Sequence, residues 1–134
     1  MMKYSLYVDG ASRGNPGHAG AGAYLADEEG REVASLYQYL GEATNNMAEY
    51  AALLLGLKAA KKRKIKFLMI LADSELMVRQ IQGVYQVKNP TLKKNYDTAM
   101  KYLKYFNYTI SHIRREKNKI ADQLANKAID EYLT

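Results

Sequence analysis

Short runs of aromatic, β-branched and small residues fill the first 43 positions of the chain, and turn residues separate them. Runs bounded in this way by Gly, Asn and Pro are typical of β-strands. The second run is so rich in glycine and alanine that another backbone can approach it closely. We expect three antiparallel strands, at residues 4–10, 20–26 and 31–40, joined by a tight turn at 11–17 and a hairpin turn at 27–30.

The rest of the chain combines helical spacing of apolar residues with two further apolar runs. Thr44 and the two asparagines after it are helix-start residues, and apolar residues then recur at helical spacing to about residue 60. The nearly continuous run 66–72 is typical of a central strand covered on both faces, and Ser74 can cap the helix that follows it. Later patterns predict a loop at 83–90, a helix at 91–105, a strand at 108–113 and an amphipathic helix from Asn118. The predicted order is βββαβααβα, an α/β fold.

The length and composition fit one folded domain. With 134 residues, 48% of them apolar and 25% charged, the chain can bury a core and is too short for two domains. No apolar run suits a signal peptide or a membrane span, and cysteine is absent. We expect a single domain over residues 1–134 that is cytoplasmic, does not bind membranes, needs no obligatory protein partner and is a monomer.

The net charge of +6 is distributed unevenly along the chain. Residues 1–57 carry a net charge of −4, whereas residues 58–134 carry +10. This division suits a protein that holds a polyanion against a cluster of acids, although lysine-rich surfaces also serve solubility. The basic run 61–64 lies at the predicted end of a helix, where cations oppose the negative end of the macrodipole. We interpret that run as a helix end rather than as a nucleic-acid patch.

Four acids occupy positions where a metal site can form. Asp9 and Asp73 each follow a predicted strand, and in open α/β sheets ligands bind at that edge, whereas Glu49 and Asp122 fall in predicted helices. Mg²⁺ and Mn²⁺ prefer such oxygen ligands, and a pair of these ions can activate water for attack on a phosphodiester. Taken singly, a strand-end aspartate is more often a turn residue and a helical glutamate is usually solvated. The sequence around each acid must therefore decide whether it is a metal ligand or an ordinary turn or surface residue.

Four segments, in order along the chain, resemble the motifs of type 1 ribonuclease H. They are Asp-Gly-Ala-Ser-Arg-Gly-Asn-Pro-Gly from Asp9, Thr-Asn-Asn-Met-Ala-Glu ending at Glu49, Asp-Ser at Asp73, and His-Ile-Arg-Arg-Glu-Lys-Asn-Lys-Ile-Ala-Asp ending at Asp122. The resemblance implies the ribonuclease H-like fold, a five-stranded mixed sheet with three antiparallel and then two parallel strands, flanked by helices. It also implies internal hydrolysis of the RNA strand of RNA–DNA hybrids, leaving 5′-phosphate and 3′-hydroxyl ends.

The resemblance further implies roles for the matching positions. Asp9, Glu49, Asp73 and Asp122 match the acids that hold two Mg²⁺ or Mn²⁺ ions, with Asp9 between both ions and a metal-bound water as the attacking group. The turn after Asp9 matches a segment that lies against the RNA minor groove, where 2′-hydroxyl groups distinguish RNA from DNA. Eight positions are implied to contact the hybrid: Gly10, Ser12, Asn15, Thr44, Asn45, Asn46, Tyr85 and Asn89.

Some of these positions have an alternative interpretation. Helix capping is the structural alternative for Asn45 and Asn46. Thr44 matches one half of a pocket for a phosphate of the DNA strand, and Asn89 is a candidate for the other half. Glu42 stands where the family often has an arginine, which weakens the case for that pocket.

Two features of many relatives are missing from this chain. Only about ten residues, 81–90, separate the two middle helices, so the basic protrusion is absent and the chain has a short form. Tyr85 is then the candidate for the aromatic residue that supports the DNA strand, with a core tyrosine as the alternative. The loop 114–119 lacks a histidine, and His112 is the candidate for an accessory catalytic role, with a structural imidazole as the alternative.

Two other functions fit the same fold. One is a nucleic-acid-binding module without activity, which the presence of all four acids argues against. The other is a nuclease that acts on DNA. The asparagine-rich turn and helix start favour recognition of RNA instead, so hybrid cleavage is the leading hypothesis.

Overall fold

The computed structural model describes residues 2–134, and its elements follow the predicted order βββαβααβα. Thr44 and Ser74 cap their helices through side-chain oxygens, as the sequence predicts. A short 3₁₀ turn at Arg115–Lys117 was not expected. The strands and helices are β1 Lys3–Gly14, β2 Gly17–Ala26, β3 Glu32–Ala43, α1 Asn45–Lys62, β4 Phe67–Ala72, α2 Glu75–Ile81, α3 Pro90–Leu103, β5 Asn107–His112 and α4 Lys119–Leu133.

The five strands form one mixed sheet in the order β3-β2-β1-β4-β5. The pairs β1/β2 and β2/β3 are antiparallel, whereas β1/β4 and β4/β5 are parallel. Three antiparallel strands followed by two parallel ones confirm the predicted fold class. None of the helices within residues 2–134 is long and apolar enough to cross a membrane.

Strand β1 is longer than the sequence pattern predicted. It pairs with β2 as far as Gly14 opposite Gly17, so the expected turn at 11–17 is wrong and only Asn15 and Pro16 form the connection. Asp9 therefore lies within β1 rather than at its end. Strand β4 stops at Ala72, opposite Val8, so Asp9 is the first residue of β1 beyond that partner. The acid still reaches the edge of the parallel part of the sheet, because β4 ends there.

Helices α1 and α3 cover one face of the sheet. The core between them and the sheet contains fully buried residues from β1, β2, α1 and β4, among them Leu6, Leu25, Leu53, Leu57 and Ile70. The N-terminal caps of these two helices, Thr44 and Asn89, line the same pocket. Both helices therefore begin at one end of the molecule and run to the opposite end.

Helix α4 covers part of the other face, against β1, β2 and β3. The contact is as close as the small residues of β2 predicted, because a Cβ atom at Gly22 would lie 2.3 Å from the carbonyl oxygen of Ala121. Strand β4 lies outside this cover, and Met69 is 44% exposed. The expectation that both faces of 66–72 are covered is therefore wrong.

Candidate active site

Four acids from four different elements line one cleft at the end of β4. Asp9 comes from β1, Glu49 from the start of α1, Asp73 from the segment after β4, and Asp122 from the first turn of α4. The cleft has a volume of about 490 Å³. The other residues that line it are Gly10, Ala11, Ser12, Arg13, Asn45, Arg115 and Asn126.

Three of the acids have the geometry of a metal site. Carboxylate oxygens of Asp9, Glu49 and Asp73 all lie within 4.8 Å of one another. Asp9 and Glu49 are only 5% and 9% exposed, so water screens little of their mutual repulsion. A set of hard oxygen donors packed this tightly fits a divalent cation such as Mg²⁺ or Mn²⁺.

Two acids of this cluster, Asp9 and Glu49, have raised pKa values. Burial raises the pKa of Asp9 strongly, and the nearby carboxylates of Glu49 and Asp73 raise it further. Burial also raises the pKa of Glu49, although the backbone N–H of Gly10 favours its charged form. A bound cation would lower these pKa values again, because it favours the ionised carboxylates. The cleft therefore favours the binding of a positively charged ligand.

Gly10 brings α1 close enough to β1 to complete the cluster. Its backbone N–H donates to the Glu49 carboxylate. A Cβ atom at this position would lie 2.2 Å from the backbone of Ala48 and 2.4 Å from that of Glu49. Any larger residue would push α1 away from β1 and carry Glu49 with it. The glycine after Asp9 thus has a structural role beside the substrate contact that the sequence suggested.

Asn118 positions Asp73, a role that the sequence did not reveal. Its side chain is 1% exposed and donates from Nδ2 to the carbonyl oxygen of Val8 at 2.9 Å and to Asp73 Oδ2 at 3.4 Å. It stands at the start of α4 but makes no capping hydrogen bond with its side chain. Asn118 therefore joins the end of the β1/β4 pairing to one acid of the cluster.

Arg13 is connected to Asp122 through one intervening side chain. Arg13 Nη2 lies 2.7 Å from Asp130 Oδ1 and donates to Asn126 Oδ1 at 3.1 Å. Asn126 Nδ2 in turn donates to the carbonyl oxygen of Asp122 at 3.0 Å and to its Oδ1 at 3.3 Å. The three α4 residues are spaced four apart, on one face of the helix, which is the only sequence feature that could have indicated this network.

A second pocket adjoins the acid cleft, with a volume of about 470 Å³. It contains four of the predicted substrate positions, Asn15, Thr44, Asn46 and Asn89. Thr44 accepts the N–H of Met47, and Asn89 accepts the N–H groups of Thr91 and Leu92, so both act as helix caps. Two helix N-termini at one pocket provide partial positive charge that suits an anion.

Asn45 and Ser12 line the acid cleft. The backbone N–H of Asn45 donates to Asn15 Oδ1 at 3.1 Å, which ties the β1–β2 turn to the start of α1. The cap of α1 is Thr44, so capping does not account for the side chains of Asn45 and Asn46. The Ser12 hydroxyl donates to the carbonyl oxygen of Ala43 at 2.8 Å and also bonds Gly14. The turn is therefore held in place by its own side chains.

Comparison with known proteins identifies the family. Residues 7–128 match the family model described as reverse transcriptase-like. LC11-RNase H1, isolated from compost by a metagenomic approach and solved in complex with an RNA/DNA hybrid, superposes with a TM-score of 0.94 and 43% identity, covering 98% of this chain and 100% of that one. The chain belongs to the type 1 ribonuclease H family.

Two curated relatives show how this ribonuclease H chain compares in length. Ribonuclease HI of Halobacterium salinarum is 40% identical over 93% of this chain and 63% of its own length. A bifunctional protein of Mycobacterium tuberculosis is 41% identical over 96% of this chain and 36% of its own length. The chain thus spans less than two thirds of the length of each of these relatives.

The ribonuclease H chain keeps the short form predicted from its sequence. Residues 82–89 join α2 directly to α3, with no basic protrusion between them. Tyr85 lies in this connection and is 51% exposed, so the alternative of a core tyrosine is wrong. Tyr85 and His112 do not line the acid cleft or the adjoining pocket, and His112, at the end of β5, is exposed. Their roles stay predictions.

Arg13 and His18, to which the sequence assigned no functional role, lie in different surroundings. Arg13 borders the acid cleft, whereas the His18 ring lies beside Tyr39 and Tyr132, with Nδ1 2.7 Å from the Tyr39 hydroxyl. Arg115, which the sequence analysis did not single out, also lines the cleft and adds a second cation to it. His18 therefore has a packing role, and the two arginines belong to the site.

Proposed function

We propose that this chain is a metal-dependent endonuclease that hydrolyses the RNA strand of RNA–DNA hybrids and leaves 5′-phosphate and 3′-hydroxyl ends. The observation that carries the proposal is the group of Asp9, Glu49 and Asp73 oxygens within 4.8 Å, in a cleft that Asp122 also lines. Membership of the type 1 ribonuclease H family supports the choice of substrate. The relative LC11-RNase H1 was solved with an RNA/DNA hybrid bound.

The four acids are proposed to hold two Mg²⁺ or Mn²⁺ ions. Such ions supply a water nucleophile at neutral pH and stabilise the leaving oxygen of a phosphodiester. Asp9, the acid of the cluster whose pKa is raised most, is proposed as the ligand shared by both ions. Gly10 and Asn118 hold Glu49 and Asp73 in place, and Asn126 orients Asp122. No protein side chain needs to act as a nucleophile.

The adjoining pocket is proposed to take a phosphate of the DNA strand. Thr44 and Asn89 would receive it where the positive ends of α1 and α3 meet. The RNA strand would then lie over the β1–β2 turn, whose backbone approaches the acid cleft. Its minor groove presents the 2′-hydroxyl groups that distinguish RNA from DNA. The proposed contacts are Gly10, Ser12, Asn15, Thr44, Asn45, Asn46, Tyr85 and Asn89, with His112 as an accessory group.

The number of domains, the oligomeric state and the cellular location of the chain are also part of what we propose. We propose one ribonuclease H domain over residues 1–134 that acts as a monomer in the cytoplasm, with the hybrid duplex as its partner. A chain that eluted as a stable dimer at micromolar concentration would contradict the monomer.

The test is cleavage of one sequence supplied as an RNA–DNA hybrid, as double-stranded RNA and as double-stranded DNA, with Mg²⁺ or Mn²⁺. We expect cuts only in the RNA strand of the hybrid, with a 5′-phosphate that a phosphatase removes. Equal cutting of double-stranded DNA would favour a DNA-directed nuclease. Binding of the hybrid without cleavage in either metal would favour a module without activity.

A further inference from the structure

Eight exposed cations meet at the ends of α1 and α3. The two stretches of chain that supply them, 50–72 and 98–115, contain no aspartate or glutamate. Within residues 2–134, none of the eight forms an ion pair with a carboxylate. We call this group the distal basic surface: Lys58, Lys61, Lys62, Arg63, Lys64, Lys66, Lys101 and Lys104.

The distal basic surface lies at the end of the molecule opposite the acid cleft. Helices α1 and α3 both begin at the pocket that contains Thr44 and Asn89, and both run away from it. The 18 residues of α1 rise by about 27 Å between these two ends. A hybrid seated on the acid cleft therefore leaves the distal surface free.

The end of a helix explains only part of this charge. Lys61 and Lys62 lie in the last turn of α1, and Arg63 Nη1 donates to the carbonyl oxygen of Ala59, as expected near the negative end of a macrodipole. Lys58 lies a full turn earlier, and Lys101 and Lys104 come from α3. The interpretation of the 61–64 run as a helix end is therefore confirmed, but it does not account for these three lysines outside the run.

Two tyrosines are set among these cations. Lys66 Nζ lies 3.6 Å from the centre of the Tyr105 ring and donates to the Tyr105 carbonyl oxygen. Lys61 Nζ lies 5.4 Å from the ring centres of both Tyr102 and Tyr105. Both rings are half-buried. Cations arranged around partly exposed aromatic rings are the pattern of surfaces that bind single-stranded nucleic acid.

The scarcity of exposed apolar side chains near these cations argues against a membrane as the binding partner of the distal basic surface. Interfacial segments bury large apolar side chains beside their cations. Within the stretches 50–72 and 98–115, Met69 is the only exposed large apolar residue, and it lies on the face of β4 opposite the buried Leu68 and Ile70. The other exposed large apolar residues of 2–134 lie outside these stretches: Met2, Tyr37, Leu76, Val84, Tyr85, Ile120, Tyr132 and Leu133.

We propose that the distal basic surface is a second nucleic-acid site, which binds the phosphate backbone of a single-stranded segment. A duplex is far too stiff to leave the acid cleft and bend back over the length of α1. An unpaired strand that flanks a hybrid is flexible enough to do so. Holding such a flank would raise the effective concentration of the hybrid at the cleft. Binding at the distal basic surface does not depend on cleavage, so the proposal of this site stands even if the proposed nuclease activity fails.

The test compares two variants with the same loss of charge. The distal variant carries Lys58→Gln, Lys62→Gln and Lys104→Gln, and the control variant carries Lys3→Gln, Arg31→Gln and Lys127→Gln, all at exposed positions. Both are made in an Asp9→Asn background and saturated with a short blunt hybrid. The probe is a fluorescent oligothymidylate of about 16 nucleotides, within the usual range of site sizes. Binding is followed by anisotropy at several salt concentrations.

We expect the saturated parent to bind the probe, and the distal variant to bind it at least about ten-fold more weakly, with a salt slope smaller by about 2. The control variant should stay within about two-fold of the parent. Equal losses in both variants, or full displacement of the probe by the short hybrid, would overturn the proposal. So would unchanged probe binding in a distal variant that loses binding to phosphatidylserine vesicles. Circular dichroism checks that both variants fold.

Discussion

Replacing Asp9 with asparagine is expected to lower the rate of hybrid cleavage by about 10³-fold or more, since it removes a charged ligand from the centre of the proposed metal site. The carboxylate of Asp9 is the one that Glu49, Asp73 and Asp122 all surround. An amide of the same shape keeps the packing of β1 but does not supply the negative charge that the proposed cations require. The measurement is single-turnover cleavage of a labelled hybrid at saturating Mg²⁺.

The matched control for this variant is Asp27→Asn. Asp27 lies in the β2–β3 turn, where its Oδ1 accepts the backbone N–H groups of Glu29 and Arg31, and asparagine can accept the same hydrogen bonds. We expect the control to cut at the normal rate. The Asp9 variant should still bind the hybrid. Normal cleavage by Asp9→Asn with Mg²⁺ present would show that the metal assignment is wrong.

The metal-free protein is expected to lose stability as the pH rises through neutrality. Burial and neighbouring carboxylates raise the pKa of Asp9, and burial raises the pKa of Glu49. An acid whose pKa is raised by folding binds more protons in the folded chain than in the unfolded one between its ordinary pKa near 4 and its raised pKa, which is about 7 for Glu49 and about 10 for Asp9. Stability therefore falls with rising pH, by about 1.4 kcal/mol per pH unit for each such proton.

Thermal unfolding with a chelator present measures this effect. Between about pH 5.5 and about pH 7.5, the midpoint should fall by roughly 10 °C. Added Mg²⁺ should restore it, because a ligand that binds only the folded chain stabilises that chain. The Asp9→Asn variant should show a flatter pH profile and a higher metal-free midpoint at neutral pH. A metal-free midpoint that rises with pH would contradict the electrostatic account of the cleft.

The order of elements was predictable because each is specified by its own residues. Turn residues bound the first strands, Thr44 and Ser74 cap the helices that they were predicted to cap, and the run before Asp73 forms β4. The four acids could be grouped from their sequence contexts, and the structure brings them to one cleft. Local chemistry was sufficient for the order of the elements, whereas the grouping of the acids rested on the resemblance of their sequence contexts to type 1 ribonuclease H.

The features that were missed depend on contacts between distant parts of the chain. The end of β1 is set by how far β2 continues to pair with it, and the cover of β4 is set by where α4 packs. The hydrogen bond of Arg13 with Asn126 joins positions 113 residues apart, and that of Asn118 with Val8 spans 110. No pattern within a short window contains such information.

The placement of Asp9 inside β1 affects how the site behaves when the protein fluctuates. Loops and helix ends open first in native proteins, whereas central strands open only with the whole fold. β1 is the middle strand of the five, and Asp9 is held by its pairing with Gly22 of β2. Amide hydrogen exchange should therefore be slow at Asp9 even where the β1–β2 turn exchanges fast. The position of the central acid is thus as durable as the fold itself, while the turn that would touch the RNA is held only by side-chain hydrogen bonds to β3 and the start of α1.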